Sequence, residues 1–131
     1  MPWGGVARIL LIEDDANVRL ALKQALQRAG HEVAEARDGR DGVERYSAQP
    51  ADLVVTDLVM PNQEGIETIE QLRRLTPSLP IVAISGGGRT GNRDVLALAA
   101  KVGASRTMAK PFRPRELVQV IAGLLATPAA A

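Results

Sequence analysis

Short apolar runs alternate with stretches of helical periodicity five times along this chain, and no other feature limits its fold so tightly. The runs fall at residues 8–13 (RILLIE), 32–36 (EVAEA), 52–57 (DLVVTD), 80–85 (PIVAIS) and 105–109 (SRTMA). The first, third and fourth are almost continuously apolar, as strands buried on both faces of a parallel sheet must be. Between them, Val18, Leu22, Ala25 and Ala29 share one helical face, as do Ile66, Ile69, Leu72 and Leu75. Val95, Leu98 and Val102 form a third stripe, and Leu117, Val120, Ile121 and Leu124 a fourth. A further helix is expected over residues 39–48. Gly30, Gly103 and the Thr76-Pro77 pair stand where helices should stop. Strand then helix, repeated with short connections, implies a doubly wound α/β fold: a parallel sheet with helices on both faces.

The length of 131 residues and a hydrophobic content of 46% suit one domain with one real core. We expect it to span residues 8–126, between a flexible arm at 1–7, which carries Trp3, and a tail at 127–131. Sixteen basic against 15 acidic residues leave a net charge of +1, so no broad electropositive surface for nucleic acid or anionic lipid is expected. With no cysteine and the single His31, disulfides, thiolate sites and imidazole clusters are excluded, and any metal must be a hard, oxygen-ligated ion. Runs such as ILLI at 9–12 are too short to span a bilayer, and no basic segment leads into an apolar one at the N-terminus. A cytoplasmic protein without membrane contact is expected.

In a doubly wound sheet the ligand site lies beyond the carboxyl ends of the strands. Those ends carry Glu13 and Asp14 after the first strand, Asp57 at the third, Ser85 at the fourth and Lys110 after the fifth. Each has an ordinary alternative. Acidic residues between strand and helix cap helices, Ser85 precedes a glycine-rich turn, and Lys110 precedes Pro111. Asp57 is harder to set aside, because it closes the buried run Leu53-Val54-Val55. Three carboxylates converging on one rim repel one another unless a cation neutralises them. Mg²⁺ fits, since it takes oxygen ligands and leaves positions for water and a phosphoryl oxygen. A carboxylate can attack phosphorus and form an aspartyl phosphate. Lys110 and the metal would neutralise the added charge, and the Ser85 hydroxyl could donate to a phosphoryl oxygen.

These residues, in order and at this spacing, resemble the receiver domains of two-component response regulators over nearly the whole chain. The resemblance rests on LIEDD, DLVVTDLVMPNQEG, IVAIS and GASRTMAKPF. It implies a flavodoxin-like five-stranded sheet in the order 2-1-3-4-5 and a phosphorelay switch rather than a conventional enzyme, one that assists its own phosphorylation and dephosphorylation. It further implies Asp57 as phosphoacceptor, Asp14 as a direct Mg²⁺ ligand, Glu13 as a ligand acting through water and Val59 as a backbone-carbonyl ligand. Ser85 would be the switch hydroxyl and Lys110 the phosphoryl contact, with Pro111 after a cis peptide bond. The implied partners are a histidine kinase or histidine phosphotransfer protein and a separate downstream target protein, without direct nucleic-acid binding.

The chain departs from the family pattern in three places. Thr107 stands where a Tyr or Phe is common, the Gly86 to Gly91 loop is longer and richer in glycine than usual, and only a helix and the tail follow Phe112. A single-domain regulator is therefore expected, with the glycine loop as a candidate switch element. Two other readings compete. Gly86, Gly88 and Gly91 satisfy G-x-G-x-x-G between a strand and a helix, as in a nucleotide-binding enzyme, but not on the first strand turn and with no acidic residue near Arg106 to grip a ribose. A degenerate receiver, binding partners without phosphorylation, would have no physical reason to retain a self-repelling acidic cluster.

Overall fold

In a computed structural model the chain is described over residues 7–58, 65–85 and 92–126, with residues 92–95 described as backbone only. Val59, Trp3 and the Gly86 to Gly91 loop lie outside the described residues, as do most of the arm and the tail. Strands and helices alternate: β1 (Arg8–Ile12), α1 (Ala16–Arg28), β2 (Glu32–Ala36), α2 (Gly39–Ala48), β3 (Leu53–Asp57), α3 (Gly65–Leu75), β4 (Ile81–Ser85), α4 (Asn92–Val102), β5 (Arg106–Ala109) and α5 (Pro114–Ala126). All strand pairs are parallel and the order is β2-β1-β3-β4-β5, as the resemblance implied. No helix among the described residues is long and apolar enough to cross a membrane.

Every residue of β3 and β4 is buried, because these strands lie inside the sheet with helices on both sides. β5, at one edge, is mostly exposed. Successive side chains of a strand point to opposite faces, so the core divides in two. Leu10, Ile12, Val54 and Ile81 pack beneath α2, α3 and α4, whereas Ile9, Leu11, Val55 and Ile84 pack beneath α1 and α5.

The helical stripes need correction. On α1 the buried pair is Leu22 and Leu26, while Ala29 is the exposed C-cap. Leu26 is one turn on from Leu22, and the alanines of α1 are small enough to stand on either side of the contact face. Leu75 and Leu98 are 52% and 46% exposed; α4 instead seats the small Ala99 against the sheet, with Leu96 and Val102 beside it. On α5 the deepest residues are Leu117, Ile121 and Leu125, with Val120 and Leu124 only partly buried.

Local signals explain where the helices begin and end. The Asp15 carboxylate accepts from the backbone N–H groups of Asn17 and Val18 and starts α1. Asp38 does the same for α2 through the N–H of Asp41. Gly30 and Gly103 follow α1 and α4 with φ of +97° and +127°, a backbone that side chains disfavour. Gly65 is needed for a different reason. A Cβ there would stand 2.5 Å from the Asp57 carbonyl oxygen and from the Leu58 Cα, and neither backbone atom can swing aside. We expect Gly65→Ala to lose about 2 kcal/mol of stability through overpacking, measurable by urea denaturation. An unchanged midpoint would show that α3 can shift freely against the end of β3.

Candidate functional site

The parallel sheet brings the carboxyl ends of β1, β3, β4 and β5 to one rim. Asp57 is the last residue of β3 and Ser85 the last of β4, both buried. The register sets Asp57 opposite Ile84, so Ser85 lies one residue further along the neighbouring strand. Glu13 and Asp14 follow β1, with Glu13 1% exposed and Asp14 in solvent. Carboxylate oxygens of Glu13, Asp14 and Asp57 all lie within 4.8 Å of one another. Lys110, just past β5, reaches across with its ammonium 3.0 Å from Glu13 Oε1 and 3.6 Å from Asp57 Oδ2. Its backbone N–H donates to the Ser85 carbonyl, which ties the end of β5 to the end of β4, and the Lys110-Pro111 peptide is cis.

This concentration of charge perturbs its members. Burial, reinforced by the Asp57 charge, pushes the Glu13 carboxyl from its ordinary 4.5 to about 7, against the opposing pull of Lys110. Burial works to lower the Lys110 pKa, but its hydrogen bond to Glu13 and the charge of Asp57 outweigh it and the net shift is upward. A buried carboxyl that holds a proton near neutrality, beside two more carboxylates and one lysine, marks a site short of positive charge. The donor set is all oxygen, partly buried and open on the Asp14 side, which fits a hard divalent cation.

The structure thus gathers Glu13, Asp14, Asp57 and Lys110 and sets Ser85 at the adjacent strand end. Two participants escaped the sequence reading. Arg19 on α1 donates to the Glu13 carbonyl oxygen at 2.7 Å, and Glu35 on β2 pairs with Arg19 at 3.4 Å and with Lys23 at 2.9 Å. The one available signal was a carboxylate within β2 and two cations a helical turn apart on α1. Thr107 is exposed on β5.

The comparisons with known proteins agree with this geometry. Residues 9–122 match the family described as response regulator receiver domain. The chain is 35% identical over 115 residues to the chemotaxis protein CheY of Thermotoga maritima, covering 87% of this chain and 93% of that protein. It is 36% identical over 121 residues to the response regulator receiver protein CpdR of Brucella abortus, covering 90% and 96%. Of the longer transcriptional regulators it also matches, it spans between 23% and 48%. Among solved structures, a response regulator described as putative, from Chloroflexus aurantiacus, superposes with a TM-score of 0.85 at 28% identity, over 97% of this chain and all of that one. Neither nucleotide chemistry nor a phosphorylation-independent role is favoured by these likenesses over a phosphoacceptor role. The chain belongs to the response regulator receiver domain family.

Proposed function

We propose that Asp57 is the phosphoacceptor of this receiver, and that Glu13, Asp14 and Asp57, with the Val59 carbonyl, hold Mg²⁺ beside it. The observation that carries the reading is the meeting of three carboxylates within 4.8 Å, with Lys110 set between Glu13 and Asp57. An Asp57 carboxylate oxygen attacks the phosphorus of a phosphohistidine on a histidine kinase or phosphotransfer protein. An O–P bond forms, the N–P bond breaks, and the histidine nitrogen leaves with the electron pair. Bound Mg²⁺ supplies charge neutralisation at the phosphoryl oxygens. Lys110 adds a second positive contact, and the Ser85 hydroxyl donates to a phosphoryl oxygen once it arrives. The same groups serve the return reaction with water, so the chain assists its own dephosphorylation.

A groove of about 290 Å³, lined by Val18, Ala21, Leu22, Pro111, Phe112 and Lys110, reaches the site through Lys110 and offers the phosphodonor an apolar seat. Output then passes to a separate protein in the cytoplasm through surface contacts, without direct binding to nucleic acid. The test is intact-mass measurement after incubation with acetyl phosphate. We expect one phosphoryl adduct with Mg²⁺ and none with excess chelator. No adduct in Mg²⁺, under conditions where another receiver reacts, would return the degenerate reading; an equal adduct with chelator would remove the metal from the account.

A further inference from the structure

The backbone of Glu13 is held from both directions. Its N–H donates to the Ala36 carbonyl on β2, and its C=O accepts from Arg19 Nη1 at 2.7 Å. A peptide unit is planar and rigid, so fixing the Glu13 carbonyl also fixes the plane that leads into Asp14 and the direction in which the Asp14 Cα departs. Asp14 is exposed and needs such support, because its side chain is not packed in place. Arg19 is itself held. Its Nε lies 3.4 Å from Glu35 Oε1, its side chain is 17% exposed, and the other Glu35 oxygen accepts from Lys23 at 2.9 Å. Glu35 reaches this place because the register pairs it with Leu11, two residues before Glu13.

From this chain of contacts we infer that Arg19 is a positioning residue for the cation site, orienting the Glu13-Asp14 peptide while Glu35 orients Arg19. The inference rests on the proposed Mg²⁺ site and extends it to two residues outside the acidic cluster. The geometry makes a prediction of unusual sign. A guanidinium near a dication repels it, so electrostatics alone would let Mg²⁺ bind more tightly once Arg19 is gone. Positioning requires the opposite, a loss of affinity, as when an outer partner of a metal ligand is removed.

The experiment is calorimetric titration of the full chain with MgCl₂, for wild type, Arg19→Gln, Arg19→Lys, Glu35→Gln and the Arg19→Gln/Glu35→Gln double variant. Amide exchange of each metal-free protein is measured alongside. We expect Arg19→Gln to bind Mg²⁺ about tenfold more weakly. Arg19→Lys should remain weak although it keeps the charge, because one ammonium cannot hold the Glu13 carbonyl and Glu35 with the geometry of a guanidinium. It also decides the matter should Arg19→Gln fail to fold. Glu35→Gln should weaken binding less, and the double variant no more than Arg19→Gln alone, since Glu35 acts through Arg19. Faster exchange should be confined to residues 14–17. Affinity unchanged or improved in Arg19→Gln or Arg19→Lys overturns the inference, as does loss of protection across the whole sheet, which would make Arg19 merely structural. A wild type that binds no Mg²⁺ overturns the site reading itself, and with it the role of Arg19.

Discussion

Replacing Asp57 with Asn is expected to abolish stable phosphorylation by acetyl phosphate in Mg²⁺, while the protein stays folded. Asn has nearly the same shape, so the β3 terminus and its packing against Gly65 need not move. What disappears is the anionic oxygen that attacks phosphorus, and a neutral amide is no substitute. The same change lowers the charge of the cluster by one. Asp57 is the second cause, after burial, of the raised Glu13 pKa, so Glu13 in Asp57→Asn should titrate below about 7. The variant should therefore lose the adduct and yet resist urea at least as well as the wild type at neutral pH. Loss of both adduct and fold would mean that Asp57 is needed structurally, and an adduct of undiminished yield would place the acceptor elsewhere.

The second large effect is on stability against pH in the absence of Mg²⁺. Glu13 has its pKa raised from 4.5 to about 7 in the folded protein, so the folded state holds a proton that the unfolded state has released. The stabilisation is complete below pH 4.5 and is lost as pH rises through about 7. At about 1.4 kcal/mol for each pKa step, the loss is on the order of a few kcal/mol, a sizeable share of the stability of a domain this size. His31 works the other way. Burial lowers its pKa from 6.5, so its contribution is present above 6.5 and is lost as pH falls through the folded value. Urea melts of wild type against Glu13→Gln separate the two, because both proteins carry His31. The wild type should lose stability relative to Glu13→Gln between pH 4.5 and 7, and Mg²⁺ should restore much of that loss at the upper end by taking the place of the proton. A pH-independent difference between the two proteins would show that Glu13 is ionised throughout.

The strands and the rim are legible for a physical reason, whereas the strand order came only with the family resemblance: interior strands of a parallel sheet must be apolar on both faces, and β1, β3 and β4 are. Once the connectivity was read, topology alone placed Glu13, Asp14, Asp57, Ser85 and Lys110 at one end. Helix faces were read less well. An alanine-rich helix offers several equally apolar stripes, so Ala29 reads as inward and the buried Leu26 does not stand out, while Leu75 and Leu98 favour helix even where they face water. Arg19 and Glu35 could not be found from spacing. A lone charge on a helix or an edge strand ordinarily faces solvent, and only the pairing of Leu11 with Glu35 brings that carboxylate beside α1. The bond from Arg19 to the Glu13 carbonyl depends on backbone direction in a turn, which residue identities do not carry.

The central claim is that the Asp57 carboxylate itself becomes an acyl phosphate, and borohydride trapping tests it most directly. Borohydride reduces an aspartyl phosphate to homoserine, which marks the acceptor covalently and survives digestion. Wild-type protein treated with acetyl phosphate and Mg²⁺, reduced, digested and mapped by tandem mass spectrometry should carry homoserine at position 57 and at neither Glu13 nor Asp14. Reduction product at another carboxylate, or none in a sample whose intact mass shows the adduct, would contradict the account.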